Sequence, residues 1–387
     1  MNHDASRATL TPVHREMLAH WSNAHGCWCT HDHWAYWFSY ETKSLRKVFR
    51  LPPKSHSPVG RAKDWLARSW LKRNLRPGPG IQSLVELPNR DVVVIYDQIY
   101  LHSSTRHGQQ AEVLPDTNEP PMAAPLRGGV AVHPESGCVY FGEYLNGHDR
   151  EIRVCRVDAQ ARTVETCWTF ARSEIKHVHA IHHDRFRNRL WVCTGDKDHE
   201  SSFYYTDDEF ATLHRFAGGD QSWRAIAVLF DETGMEWGMD AGKDAPADAI
   251  NLIYRYDFAE ARRSVLATIG NPAYAACEFT DGTAMIQTTF EPGRLQDTPE
   301  EAALWFRGTD RQWRQCLGLP YAARPRPGVS RYGSILLPQG VSPAGQMLLS
   351  PVNCTKKNYS LLALACNNHG PFADQFVDKP VSTDFLS

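Results

Sequence analysis

The amino-acid sequence predicts an all-β fold, a β-propeller of six blades. Three observations predict it: a strand–turn–strand unit that recurs along the chain, a further hairpin after most copies, and very little helical periodicity. The unit is plainest in GGVAVHPESGCVYFGEY (128–144), HVHAIHHDRFRNRLWVCTGD (177–196), WRAIAVLFDETGMEWGMD (223–240) and YAACEFTDGTAMIQTTFE (274–291). Weaker copies are IQSLVELPNRDVVVIYD (81–97) and RYGSILLPQGVSPAGQMLLSP (331–351). The copies begin roughly 45–57 residues apart, the period of a four-stranded blade.

The second observation is the hairpin: EIRVCRVDAQARTVETCWTF (151–170), SFYYTDDEFATLHRF (202–216), NLIYRYDFAEARRSVLATI (251–269) and ALWFRGTDRQWRQCLGL (303–319) each read strand, polar turn, strand. One more, HWAYWFSYETKSLRKVFRL (33–51), precedes the first complete unit, and the last unit ends in YSLLALAC (359–366) without a clear fourth strand. The hairpin at 33–51 is therefore expected to supply that outer strand and close the ring, which removes exposed sheet edges. If it belongs to a blade of its own, the count is seven. On this reading 1–32 is an N-terminal extension, 33–366 the propeller and 367–387 a tail. The third observation has one exception: Trp65, Leu66, Trp70 and Leu71 fall at helical spacing before Pro77-Gly78, predicting a helical insertion at 61–76 with a basic outer face. A doubly wound α/β fold would need such helices between all its strands.

Composition is that of a globular protein, 42% hydrophobic and 22% charged over 387 residues, and the net charge of −2 gives no reason to expect nucleic acid as a partner. The start, MNHDASRATLTPVHREML, lacks the basic and apolar regions of a secretory signal, and no apolar run is long enough to span a membrane. Most of the ten cysteines sit in apolar strand-like runs, so reduced thiols and a cytoplasmic location are expected.

In a propeller the innermost strand of each blade lines the channel. When these strands are aligned on their closing turns, the leading position holds Arg127, His177, Arg224, Tyr274 and Arg331, and only the first copy has an apolar residue there, Ile81. The loops leaving the second strands carry Asp97, Glu143, Asp196 with Asp198, Asp240 and Glu291. Arginines suit forked recognition of an anion, and two carboxylates in different surroundings suit acid and base roles. The same residues also suit ion pairs that stitch neighbouring blades. In HVHAIHH, alternation puts His177 and His179 on one face, where they can share a divalent metal completed by Asp196 or Gln221, or act without one. Gln221, in GGDQSWR, is a ligand contact or a loop cap.

The turns YETKSLRKVF (40–49) and GTDRQWRQCL (308–317) resemble worn Asp-box turns of sialidase-like BNR-repeat propellers. Asp310 and Trp313 are the best-preserved positions, and the intact Ser-x-Asp-x-Gly-x-Thr-Trp box does not occur. With GGVAVHPESGCVYFGEY, HVHAIHHDRFRNRLWVCTGD and SWRAIAVLF, the chain resembles the uncharacterised, glycosyl-hydrolase-like branch of that superfamily. The resemblance implies an arginine triad (Arg127, Arg224, Arg331), a nucleophile pair of Tyr274 with Glu143 or Glu291, and an acid at Asp196 or Asp240. The expected function is a glycosidase-like propeller, without a cofactor, that acts on or binds an acidic sugar or oligosaccharide through Arg127, His177, His179, Gln221, Arg224 and Arg331. The alternatives are a metal-dependent polysaccharide lyase using His177 and His179, and a non-catalytic scaffold that binds protein.

Overall fold

The computed structural model describes residues 9–52, 81–105, 109–146, 150–322, 330–355 and 358–365. Nearly all regular structure in them is strand, and the exceptions are two short 3-10 turns, Asp198–Glu200 and Gln221–Trp223. The fold is an all-β propeller. Among the described residues five sheets are separate four-stranded units, and a sixth sheet of nine strands holds two further four-stranded meanders either side of one short bridging strand, giving seven units where six blades were expected and seven were the alternative.

Six of these units are continuous in sequence, spanning 18–50, 83–114, 130–170, 177–218, 225–270 and 273–320. The seventh takes Ser334–Leu336, Gln346–Val352 and Ser360–Ala365 from the C-terminal part, and its outer strand is Thr9–Arg15, paired antiparallel with Ser360–Ala365. The ring therefore closes between chain ends, but not through the hairpin at 33–51. That hairpin pairs with Gly26–His31 and belongs to the unit of 18–50. Residues 9–31, read from sequence as an extension, are strands of the ring. Thr9–Arg15 escapes the alternation rule because Pro12 interrupts it and a register shift follows between Pro12 and His14. The helical insertion expected at 61–76 and the tail 367–387 lie outside the described residues.

Neighbouring units pack face to face through their apolar positions. Between the units of 177–218 and 225–270 the contact is heavily aromatic, with Trp191, Phe203, Trp223 and Trp237 buried together. The nine described cysteines are free, and eight of them are buried.

The channel is narrowed by the bridging strand Gln339–Ser342. It runs parallel to Trp21–Ser22 on one side and to Glu278–Phe279 on the other. Gln339 donates from Nε2 to the carbonyls of Gly128 and Val130, both at 2.8 Å. Around it lies a cavity of about 530 Å³, walled by apolar inner-strand residues such as Val130, Ile181, Ile226 and Ile335, with Arg127 and Tyr274 among its polar residues.

Candidate functional site

Two inner strands carry a β-bulge where they enter the site. In the strand His177–Asp184 the pairing passes from Val178 to Ala180, so His179 is the extra residue. In Ala273–Phe279 it passes from Ala273 to Ala275, and Tyr274 is the extra one. A bulge re-aims the unpaired side chain, which sets both residues toward the polar cluster. Close approach of the backbone makes room for His179: a Cβ on Gly195 would lie 2.8 Å from its Nε2 and 3.2 Å from its Nδ1.

His177 Nε2, His179 Nε2 and Asp196 Oδ1 form a triangle with edges of 3.0–3.2 Å. All three residues are buried, with both imidazoles at most 2% exposed. The His177 Nδ1–H donates to the Leu145 carbonyl at 2.9 Å, which turns its Nε2 toward the other two atoms, and Tyr144 stacks on the ring at 4.0 Å. Asp196 is held from several sides. Lys176 binds Oδ2, Arg224 Nη2 lies 3.0 Å from Oδ1, and the Asp196 N–H donates to Glu200 Oε2 at 3.0 Å. Gln221 donates to the Asp196 carbonyl (2.8 Å) and to Asp198 Oδ1 (2.9 Å), so it fixes this loop.

Arg224 joins this group to a second set of carboxylates. Its Nη2 also meets Asp244 at 3.1 Å, and its Nε lies 3.6 Å from Asp240 Oδ2, which is itself 3.6 Å from His179 Nδ1. Glu291 accepts from the Tyr274 hydroxyl and, at 2.7 Å, from the Lys243 N–H. Tyr332 packs edge-on against Tyr274, with ring centres 6.4 Å apart.

The two buried aspartates are driven in opposite directions. Burial pushes Asp240 well above the usual carboxylate range, and nearby Glu291, Asp196 and Asp244 add to this against the attraction of Arg224. Burial also works to raise Asp196, but its contacts with His177 and His179 and the Arg224 charge outweigh it and hold Asp196 far below that range. The two aspartates are thus set apart, Asp240 toward the protonated form and Asp196 toward the ionised one. His179 is brought down to about 4, chiefly by burial, and is neutral. Tyr274 is pushed well above its ordinary value by burial and by Asp240 and Glu291, so it stays a phenol.

Protons are scarce in the triangle. If His179 is protonated on Nδ1, three lone pairs converge with no hydrogen between them. If it is protonated on Nε2, the buried Nδ1 has no hydrogen-bond partner among the described residues, and neither do Asp240 Oδ1 and Arg224 Nε. Bonds of 2.0–2.1 Å to a tetrahedral divalent ion put neighbouring donors roughly 3.3–3.4 Å apart, close to the edges found here. Two imidazoles and a carboxylate are also a usual donor set for zinc or manganese, and the backbone carbonyl on His177 Nδ1 is the usual outer partner of such a ligand. The residues fit a metal.

The cluster thus unites His177, His179, Asp196, Gln221, Arg224, Asp240, Tyr274 and Glu291. Of the other residues singled out from sequence, Asp198 only meets Gln221, Asp97 accepts from the Tyr100 hydroxyl at 2.9 Å, and three more lie elsewhere. Glu143 is buried against Arg150 (2.7 Å), Arg153 (2.8 Å) and the Ala123 N–H (3.0 Å). Arg127 lies on the channel wall, donating to the Ile81 carbonyl at 2.7 Å. Arg331 is exposed. The next residue, Tyr332, feels the charges of Glu291, Asp244, Asp240 and Arg224. Tyr144, Lys176, Lys243, Asp244, Arg294 and Tyr332 were not found from sequence: Tyr144 and Tyr332 each stand one residue beyond an aligned position, and the other four lie outside the aligned copies.

No family model matches the chain, and no curated protein matches it in sequence. Solved structures do. Virginiamycin B lyase from Staphylococcus aureus has a TM-score of 0.55 at 9% identity, over 93% of this chain and 100% of that one. Oligogalacturonate lyase from Vibrio parahaemolyticus gives 0.52 at 8% identity, over 94% and 98%. The GH74 enzyme of Niastella koreensis gives 0.52 at 13% identity, over 79% of this chain but only 46% of that one, so the chain spans less than half its length. At such identities the likeness concerns the propeller fold alone.

Proposed function

We propose that the chain is a metal-assisted lyase that cleaves an acidic oligosaccharide by β-elimination. The observation that carries this reading is the convergence of His177 Nε2, His179 Nε2 and Asp196 Oδ1 at 3.0–3.2 Å in a buried, proton-poor setting. A divalent metal held by these atoms would act as a Lewis acid toward the sugar carboxylate and make the adjacent C–H more acidic. That proton passes to the Tyr274 oxygen as the hydroxyl proton of Tyr274 moves to Glu291. The carbon–oxygen bond on the next carbon breaks as the double bond forms, and Asp240 gives its proton to the leaving oxygen. Asp196 stays ionised throughout, fixed by Lys176 and Arg224. Two of the propellers it resembles over their full length are lyases, one of them named for oligogalacturonate.

A second reading rests on the Tyr274–Glu291 hydrogen bond, the arrangement of a tyrosine nucleophile with its base, with Asp240 as general acid in a retaining glycosidase. The products separate the two. Incubation with acidic oligosaccharides and a divalent metal should release sugars with a new double bond, detected by ultraviolet absorbance and mass. Saturated products formed with or without metal would favour the glycosidase.

A further inference from the structure

Inside the cluster the cations are engaged: Lys176 on Asp196, and Arg224 on Asp196, Asp240 and Asp244. Two other cations stand on its Glu291 side. Lys243 is exposed, with its ammonium 5.6 Å from the centre of the Tyr332 ring, and its side chain forms no ion pair among the described residues. Arg294 is half-buried in the neighbouring loop. Its Nε donates to Gln296 Oε1 at 3.0 Å and its Nη1 to the Gly270 carbonyl at 3.4 Å, while its Nη2 is buried in this conformation and has no hydrogen-bond partner among the described residues. Arg294 nonetheless feels the charges of Glu291, Tyr274, Asp240 and Arg224, so it belongs to this site electrostatically. Loops 241–250 and 291–300 are tied together by the Lys243 N–H on Glu291 and by Gln296 Nε2 on the Pro246 carbonyl at 2.7 Å.

We infer that Lys243 and Arg294, with the Tyr332 ring between the loops and the cluster, form a second anion subsite for the carboxylate of a neighbouring acidic sugar. The inference rests on the lyase reading for the first carboxylate, at the imidazoles. An anionic chain laid across Asp196, Asp244 and Glu291 meets like charge, and cations with donors still to be matched are what offset it. Tyr332 supplies an aromatic face for a sugar ring. The substrate is therefore a run of at least two uronic acids, not a single acidic sugar in a neutral glycan.

Binding tests the subsite without turnover. Calorimetry would compare galacturonate, digalacturonate and methyl-esterified digalacturonate on the full chain. Losing charge-assisted hydrogen bonds to one carboxylate costs roughly ten- to a hundredfold in affinity. Digalacturonate should bind that much more tightly than the other two probes. Lys243→Met and Arg294→Lys should each erase much of the difference, and Arg262→Gln, at an exposed position outside the cluster, should keep it. Lys243 is exposed, so its variant reads the subsite even if Arg294→Lys loosens its loop. Equal affinity for the three probes, an unchanged preference in Lys243→Met, or no binding of any probe would overturn the subsite. An intact preference with no metal uptake and no unsaturated product would keep it and overturn the lyase reading instead.

Discussion

Gly195→Ala tests how the imidazole pair is positioned. The added Cβ would lie 2.8 Å from His179 Nε2, 3.2 Å from Nδ1 and closer still to Cε1, against ordinary contacts of 3.4–4 Å. Both residues are buried, so the ring has no solvent side to move into and must shift by roughly 1 Å or force the strands apart. Such overpacking typically costs about 1–3 kcal/mol, a loss of a few degrees in melting temperature for a chain of this size. The effect on metal is larger in kind, because ligand distances tolerate only about ±0.2 Å. Wild-type protein should gain about 2.7 kcal/mol of stability at a metal concentration a hundred times its dissociation constant. In Gly195→Ala that gain should vanish while the protein still unfolds cooperatively. Thermal melts with and without manganese or zinc read both effects. A variant with the wild-type metal-dependent shift would refute the placement of His179 in the site.

Three further outcomes follow. Asp240→Asn should fold normally and lose at least about a hundredfold in turnover, as expected for a missing general acid. Because the Asp240 pKa is raised on folding, its stabilising effect is complete below the unfolded value and is lost as pH rises through the folded one. Melts across pH should therefore show the asparagine variant resisting alkaline loss better than wild type, and parallel curves would contradict the assignment. Arg224→Ala removes the partner of three carboxylates from a nearly buried position, so it should destabilise by about 3–5 kcal/mol in denaturant titrations. Deleting residues 1–16 removes the outer strand that closes the ring and bares the edge of Ser360–Ala365. The protein should then aggregate or melt much earlier in light-scattering and calorimetric scans, and an unchanged melt would mean the ring closes otherwise.

The cluster was legible wherever the repeat put chemistry in register. His177, Arg224 and Tyr274 lead inner strands, and Asp196, Asp240 and Glu291 leave second strands, so alignment of the copies found them without any family match. Register also misled. Arg331 was chosen by the same alignment, but the strand of its unit starts at Ser334, and the side chain near the cluster is Tyr332, one residue on. A one-residue offset reverses which face a side chain takes. Arg127 fails differently: it holds the leading position but turns along the channel wall to the Ile81 carbonyl. The strand Thr9–Arg15 was hidden because Pro12 and flanking polar residues blur its alternation, and it pairs with a segment some 350 residues away. Lys243, Asp244 and Arg294 lie further along the loops leaving the second strands, whose lengths differ between copies so that no alignment marks these positions, and only the folded chain brings them beside Glu291.

The central claim is that His177, His179 and Asp196 hold a divalent metal that elimination requires. Calorimetric titration of metal-stripped protein with manganese and zinc, in wild type and in His179→Ala, tests it most directly when paired with the product assay on the same samples. The account predicts one equivalent bound in wild type, none at this site in the variant, and unsaturated product only from the metal-loaded wild type. Wild type that binds no metal, or that cleaves equally well without it, would contradict the account.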